Sequence, residues 1–342
     1  MVAARQVTLA EVAEHAGASL ATASRVLNGS NRQVGDALRE RVLLSARMLG
    51  YLPNASAQAL ARNSSSLVGL VVHDITDPYF SSIAAGVVRI AEAAGLVVVL
   101  GTTGRKAERE RELLCMLRAH RAKAVVLVGS LTADAEATAR LDEQLKLFID
   151  QGGRVACVGQ AELSVDTVVP ANEPGAEALG RALAGLGHRR FAVLAGSTDL
   201  LTSRDRVAGF RAGLAESGIA LPDSAVVRGE FSRDGGYAAA SEALAAGIDA
   251  TCLFAVTDVM ALGAMAALRD AGLRVPDDMS VAGFGDIPTL RDVAPTLTTV
   301  RLPLEEMGAR AAELALGDRA ASRPRTVAVG ADVVLRESTR RL

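Results

Sequence analysis

The segment SLATASRVLN, Ser19 to Asn28, carries one arginine, one asparagine and several small or hydroxylated side chains. Arginine can grip O6 and N7 of guanine, and hydroxyls can bond phosphates or base edges. A second set follows the first strand-like run of the larger part of the chain. Asp77, Tyr79 and Phe80 place a carboxylate beside two aromatic rings, which suits a polyhydroxylated or heterocyclic small molecule. The same three residues also read as a helix cap with core packing. Catalysis lacks its parts. The four histidines, His15, His73, His120 and His188, include no two at metal-ligand spacing. There is no P-loop or nucleophile elbow, and GFGDIP lacks the last glycine and the following helix of a dinucleotide fingerprint. The expectation is a protein with no catalytic residue, no metal and no cofactor.

The first 63 residues must position the arginine and its neighbours. TLAEVAEHAG makes a short helix ending at Gly17, SLATASRVLN a second and DALRERVLLSARMLGY a third. Thr8 and Glu11 have the spacing of a capping box. Ala13 and Gly17 let two helices approach across a tight turn, with Val12, Ala23 and Val26 as the buried face. That spacing describes a helix-turn-helix, whose second helix enters the DNA major groove by its N-terminal end. Ser19, Leu20, Ala21 and Thr22 lie at that end, and Ser24, Arg25 and Asn28 follow along the exposed face. The alternative is a three-helix interaction module with no DNA role. YLPNASAQALARNSSS then reads as a linker able to form one or two helical turns.

From Leu67 onward apolar runs (LVGLVV, LVVVLG, AVVLVG, RVACVG, TVV, FAVLAG, AVVRG, TCLFAV, MSVAGF) alternate with alanine-rich amphipathic stretches. This is the β-α-β pattern of a mostly parallel sheet with helices on both faces. The strands are too many for one such sheet, and LGHRRFAVLAG restarts the pattern, so two α/β subdomains are expected. Ligands of these sheets bind beyond the carboxyl ends of the strands, and two facing lobes enclose a cleft there. In charge, residues 1–63 carry +3 and the remainder −5; a basic head on an acidic body points to an anionic partner or to chance asymmetry. Cys115, Cys157 and Cys252 sit in apolar sequence, as free thiols do in a reducing compartment. MVAARQVTLAEVAEHAG interrupts any apolar leader with charges, and no run approaches the ~18 residues of a membrane span. A cytoplasmic protein without a membrane segment is expected.

Several segments in order, VTLAEVAEHAGASLATASRVLNG, YLPNASAQALAR, DPYFSSIAAGV, LGHRRFAVLAG, SRDRVAGFRAGL, TDVMALGAMAALRDAGLRVPDDMSVAGFGD and PTLTTVRLPLEEMGARAAELAL, make the chain resemble the lactose/galactose repressor (LacI/GalR) family of bacterial transcription regulators. The resemblance spans essentially the full length. It implies a three-helix headpiece at 1–52, a hinge helix or linker at 53–64 and a two-lobed, periplasmic-binding-protein-like body at 65–342. The N-lobe would hold about 65–168 and 292–321, the C-lobe about 169–291 and 322–342. By the same match Thr8, Ser19, Ser24, Arg25, Asn28 and Tyr51 touch DNA. Asn54, Ala57 and Leu60 match the hinge helix, whose leucine wedges into the minor groove and bends the duplex. Asp77, Tyr79, Phe80, Arg206 and Asp258 would contact an effector, such as a sugar or related metabolite, and Gln160 and Asp286 stand at further effector positions. On their own, Arg206 could pair with Asp205 or a helix end, and Asp258 could cap the helix it begins.

The chain departs from the family in three places. VGDALR replaces VSxxTR, so Gly35 and Leu38 cannot bond phosphate and Asp36 repels it. Gly285 stands where sugar-responsive relatives have an acid, and Gly159-Gln160 where Asp-Arg is common, which removes charge-assisted contacts. The effector is then less hydroxylated, or larger, than a simple hexose. A homodimer reading a pseudo-palindromic operator is expected, because one small head contacts too few bases. After TVAVGADVVL, taken as the last strand, seven residues leave no room for a leucine-heptad tail. The competing readings are a cytosolic small-molecule-binding protein of the same two-lobed fold and an α/β enzyme with a helical appendage.

Overall fold

The computed structural model describes residues 7–28, 34–52, 65–317 and 323–342, which fall into two compact units dividing between Ser65 and Ser66. The smaller unit holds three helices, α1 (Leu9–His15), α2 (Leu20–Asn28) and α3 (Asp36–Leu49). The capping box at α1 is complete: Glu11 N–H donates to Thr8 Oγ1 and Thr8 N–H to Glu11 Oε2. Gly17, at φ 61°, makes the left-handed turn between α1 and α2, a conformation that costs glycine little. Val12, Ala23 and Val42 are fully buried where the three helices meet. Residues this small allow a core only a few side chains deep.

The larger unit contains two six-stranded sheets. The first is built from β1 (Leu67–Val72), α4 (Pro78–Ala93), β2 (Val97–Thr102), α5 (Ala107–Ala119), β3 (Ala124–Val128), α6 (Ala135–Asp150), β4 (Arg154–Val158) and β5 (Asp166–Val169). The second comprises α7 (Asn172–Gly185), β6 (Phe191–Ala195), α8 (Leu201–Ala215), β7 (Val226–Arg228), α9 (Arg233–Ala245), β8 (Cys252–Ala255), α10 (Asp258–Asp270), β9 (Ser280–Gly285) and β10 (Thr298–Arg301). The chain then returns to the first lobe for α11 (Leu304–Leu316) and β11 (Thr326–Ala328), and ends in the second with β12 (Asp332–Val334). The strand orders are β11-β5-β4-β3-β1-β2 and β12-β10-β9-β8-β6-β7. Among the described strands every pairing is parallel except β10 with β12.

Two lobe boundaries differ from the sequence expectation. Residues 292–301 belong to the second lobe, because β10 pairs with β9 in register Thr298↔Ala282 and buries Thr298, Thr299 and Val300 completely. TVAVGADVVL is not one strand. β11 joins β5 of the first sheet and β12 joins β10 of the second, with Gly330 between them at a lobe crossing. An apolar run looks alike whether it feeds one sheet or two, so the break is invisible in composition. The chain crosses between lobes three times, after β5, after β10 and after β11.

Candidate functional site

The carboxyl ends of strands from both sheets face a cleft with about 560 Å³ of space including its open mouth. Of the expected effector residues, Asp77, Tyr79, Phe80, Arg206 and Asp258 line it. Asp77 caps α4, its Oδ1 accepting Tyr79 N–H at 2.9 Å, and burial raises its carboxyl above the ordinary range. Phe80 is buried and stacks edge-on against Tyr79 with ring centroids 5.2 Å apart. The cap-and-core reading of this segment and its place in the cleft therefore coexist.

Arg206, on α8, is 3% exposed. Its Nε donates to Asn172 Oδ1 at 3.0 Å and its Nη1 to the Val256 carbonyl at 2.6 Å, while its guanidinium lies 3.9 Å over the Phe284 ring. It pairs with neither Asp205 nor a helix end. Burial pulls its pKa down to about 10, so it remains a cation at neutral pH, held by neutral groups. Unpaired buried cations are costly, and an arginine so placed has donors to offer an entering ligand.

Asp258 begins α10 but does not cap it; Thr257 does. The Asp258 carboxylate instead accepts Thr299 Oγ1–H at 2.6 Å and Ile287 N–H at 3.0 Å. Gly283 and Gly285 cradle it: a Cβ on Gly285, at φ 137°, would lie 2.9 Å from Asp258 Oδ2. A side chain at position 285 would crowd the Asp258 carboxylate and would sit in a backbone conformation that L-residues rarely adopt. Burial pushes the Asp258 pKa up to about 6.

Two expected residues lie elsewhere. Asp286, at φ 59°, is held by Arg301 Nε at 2.7 Å and Arg336 Nη2 at 2.6 Å and does not line the cleft. Burial pushes its carboxyl up, but the bonds from Arg301 and then Arg336 outweigh this and hold it below the usual range. Gln160 lines an adjoining cavity of about 350 Å³ in the first lobe, with His73, Glu110 and Cys157, which shares Gly129, Ser130, Val158 and Gly159 with the cleft wall. Its amide is engaged with Leu131 and Thr202.

The cleft also contains residues that were not anticipated: Arg105, Ser130, Asn172, Thr202, Phe231 and Phe284. Phe231 rests on Gly196, whose missing side chain leaves room for the ring, and Arg105 stacks over it with 5.1 Å from guanidinium carbon to centroid. Arg105, Asn172 and Phe231 each follow a strand, so the carboxyl-end rule held the signal. Phe231 offers a flat apolar face to a ring, and Arg206, Asn172 and Asp77 offer directional hydrogen bonds.

In the smaller unit Ser19 precedes α2 and its Oγ accepts Thr22 N–H at 3.1 Å. Leu20 is 55% exposed; Ala21 and Arg25 are also exposed, Thr22 and Ser24 half-buried. Asn28 closes the helix. Thr8 is exposed with its hydroxyl in the capping box, and Tyr51 packs half-buried against the three-helix core. Asn54, Ala57 and Leu60 lie outside the described residues. α2 therefore presents an uncharged N-terminal turn followed by one cation, a shape and chemistry that fit a major groove. α3 begins at Gly35 with no side-chain cap.

Residues 8–54 match the bacterial regulatory proteins, lacI family, and residues 181–339 the periplasmic binding protein-like domain. The HTH-type transcriptional regulator GalR of Escherichia coli (strain K12) is 36% identical over 309 residues, 90% of this chain and 88% of that protein. Among solved structures, the lac repressor dimer bound to operator and the anti-inducer ONPF superposes with a TM-score of 0.82 at 28% identity, over 98% of this chain and 100% of the other. The transcriptional regulator CelR–cellobiose complex superposes with a TM-score of 0.70 at 31% identity, over 97% and 100%.

Proposed function

The chain belongs to the lacI family of bacterial regulatory proteins, DNA-binding transcriptional regulators, and from that premise we propose that it is a cytoplasmic, non-enzymatic repressor. It binds a pseudo-palindromic operator as a homodimer and answers to a small effector, a sugar or related metabolite, in the cleft between its lobes. α2 enters the major groove with Ser19, Leu20, Ala21 and Thr22 leading and Ser24, Arg25 and Asn28 following. Thr8 and Tyr51 touch the backbone, and Asn54, Ala57 and Leu60 act in the minor groove. Two solved relatives support this by what they hold: the lac repressor dimer is bound to operator, and CelR to cellobiose. No helix among the described residues is long and apolar enough to cross a membrane.

The observation that carries the effector reading is Arg206, a buried guanidinium lining an open cleft without an ion-pair partner among the described residues. Effector contacts by Asp77, Tyr79, Phe80 and Arg206 bridge strand ends of both lobes, so ligand binding biases the angle between them. The two hinge segments of a dimer respond to that angle, and their pairing decides whether the heads hold the operator. This is a two-state element that both sites bias.

The uncovered apolar edge strand β2, with Val97 59%, Val99 42% and Leu100 43% exposed, supports the dimer, since an open apolar edge invites a partner.

The test starts from a thermal-shift screen of sugars and related metabolites, because a ligand of the native state raises Tm. With the hit in hand, operator binding is measured by fluorescence anisotropy with and without it. Arg206→Ala is expected to lose the response while keeping operator affinity. A fall in operator affinity without effector, or a retained response, would overturn the assignment of the cleft.

A further inference from the structure

One segment from each lobe meets the other at a single antiparallel β-bridge beside the cleft, making a short ribbon. Residues 130–133 follow β3 in the first lobe; residues 199–200 precede α8 in the second, and Leu201 and Thr202 are its first two residues. Leu201 N–H donates to the Leu131 carbonyl at 3.0 Å and Ala133 N–H to the Asp199 carbonyl at 2.8 Å, with Thr132 and Leu200 paired between them. Thr202 N–H adds a bond to Ser130 Oγ at 3.1 Å. Ser130 and Thr202 both line the cleft, so the ribbon is part of its wall.

Gln160, on the loop after β4, spans this ribbon with a single amide. Its Oε1 accepts Leu131 N–H at 3.1 Å, in the first-lobe loop, and its Nε2 donates to Thr202 Oγ1 at 2.9 Å, in the first turn of α8 in the second lobe. A longer contact of 3.4 Å joins Nε2 to Asp205 Oδ2. Few side chains can serve both segments at once, since this needs an acceptor and a donor on one rigid plane. A single bridge of this kind is marginal in water without side-chain support. Here that support comes from a residue two positions beyond β4 that reaches across the lobe boundary.

We propose that Gln160 is a positioning residue for the effector cleft: by clamping the ribbon of residues 130–133 and 199–202 it holds the two lobes together before any effector binds. The clamp's regulatory meaning rests on the cleft being the effector site, but its existence does not. An effector then enters by transient opening of the ribbon and stabilises a closed arrangement already populated, which is a population shift. Association is gated by that opening.

The test is hydrogen–deuterium exchange of the full chain without effector, read on peptides spanning 130–133 and 199–202. In the wild-type protein the Ala133, Leu201 and Thr202 amides are expected to be protected. Gln160→Ala should speed their exchange roughly tenfold or more, while peptides from β3 and β6 keep their protection. Thr202→Val, which removes the partner in the other lobe, should do the same. Gln160→Glu gives a readout that loss of packing cannot mimic, because it sets a carboxylate against Asp205. The charged groups that act on Asp205 are Glu173 on α7 and Arg204 and Arg206 on α8. The ribbon of that variant should open at about pH 8 and regain its protection factor near pH 5, where two facing carboxyls share a proton. Gln160→Ala should show no such recovery. Wild-type amides exchanging at free-chain rates, unchanged protection in Gln160→Ala, or losses spread evenly over both lobes would each overturn the clamp. Because no effector enters this experiment, its failure is separable from a failure of the Arg206 response.

Discussion

His73 and Glu110 face the same first-lobe cavity and are displaced in opposite directions. Burial, helped by Arg105, lowers the His73 pKa to about 4, and its Nε2 has no hydrogen-bond partner among the described residues. Nδ1 meets Thr103 Oγ1 at 2.9 Å. The unfolded chain takes a proton on this histidine from its ordinary value near 6.5, while the folded chain resists until about 4. Stability tied to His73 is thus present above pH 6.5 and is lost as pH falls toward 4, by about 3 kcal/mol across the window. Glu110 has the contrary sign: burial raises it to about 7, so its contribution is present in acid and is lost as pH rises toward neutrality. Urea unfolding at a series of pH values should show that His73→Gln flattens the acid-side fall and Glu110→Gln the opposite slope. Parallel curves for wild type and variant would remove the residue from this balance. In sequence His73 is one of four histidines, followed directly by Asp74. Its partners, Thr103 and the cavity wall, come from segments that only the sheet brings together.

At the scale of elements, helix pairs approach closely through glycine. A Cβ on Gly86 of α4 would collide with the Glu305 carbonyl of α11, and one on Gly308 of α11 with the Ile83 carbonyl of α4. The contacts are reciprocal, so neither helix can yield without moving off the other. Gly86→Ala should therefore destabilise the body by about 3 kcal/mol, as overpacking does, read as a lower denaturation midpoint; a neutral outcome would mean the helices separate freely. Gly209 and Gly213 of α8 meet α7 in the same way. Alanine-rich amphipathy made these helices legible, yet it could not say which glycine faces which carbonyl. The strand β2 carries the dimer prediction at this scale. Val99→Asp should convert dimer to monomer in sedimentation velocity with the circular dichroism spectrum unchanged, whereas a persistent dimer would move the interface off β2. The nine apolar runs recognised in the sequence all form strands. β10, TTVR, escaped because two threonines and an arginine outweigh its one valine in any hydropathy reading, although its first three residues are fully buried.

For the whole molecule, the proposed operator binding has an electrostatic signature. Affinity for a selected operator should fall roughly 10³-fold or more between about 50 and 200 mM salt, since phosphate contacts release counterions. Leu60→Ala should weaken operator binding far more than binding to random duplex, because a wedge acts only where the duplex can be bent. Equal losses on both would count against the wedge.

What the amino-acid order alone determined is local or repetitive: three short helices and the capping box of the first, the alternation of strands and helices, the basic head and the ordered motifs of the family. Those features arise from neighbours within a few residues, where spacing dictates structure. Which side chains share the cleft was decided by the tertiary fold. Gln160 and Asp286 stood at plausible effector positions, but one met Leu131 and Thr202 and the other Arg301 and Arg336. Arg105, Asn172 and Phe231 entered the cleft instead. A long polar side chain turns toward whichever partner its environment leaves unpaired, and those partners lie from 15 to 50 residues away in the chain, beyond the reach of any local pattern.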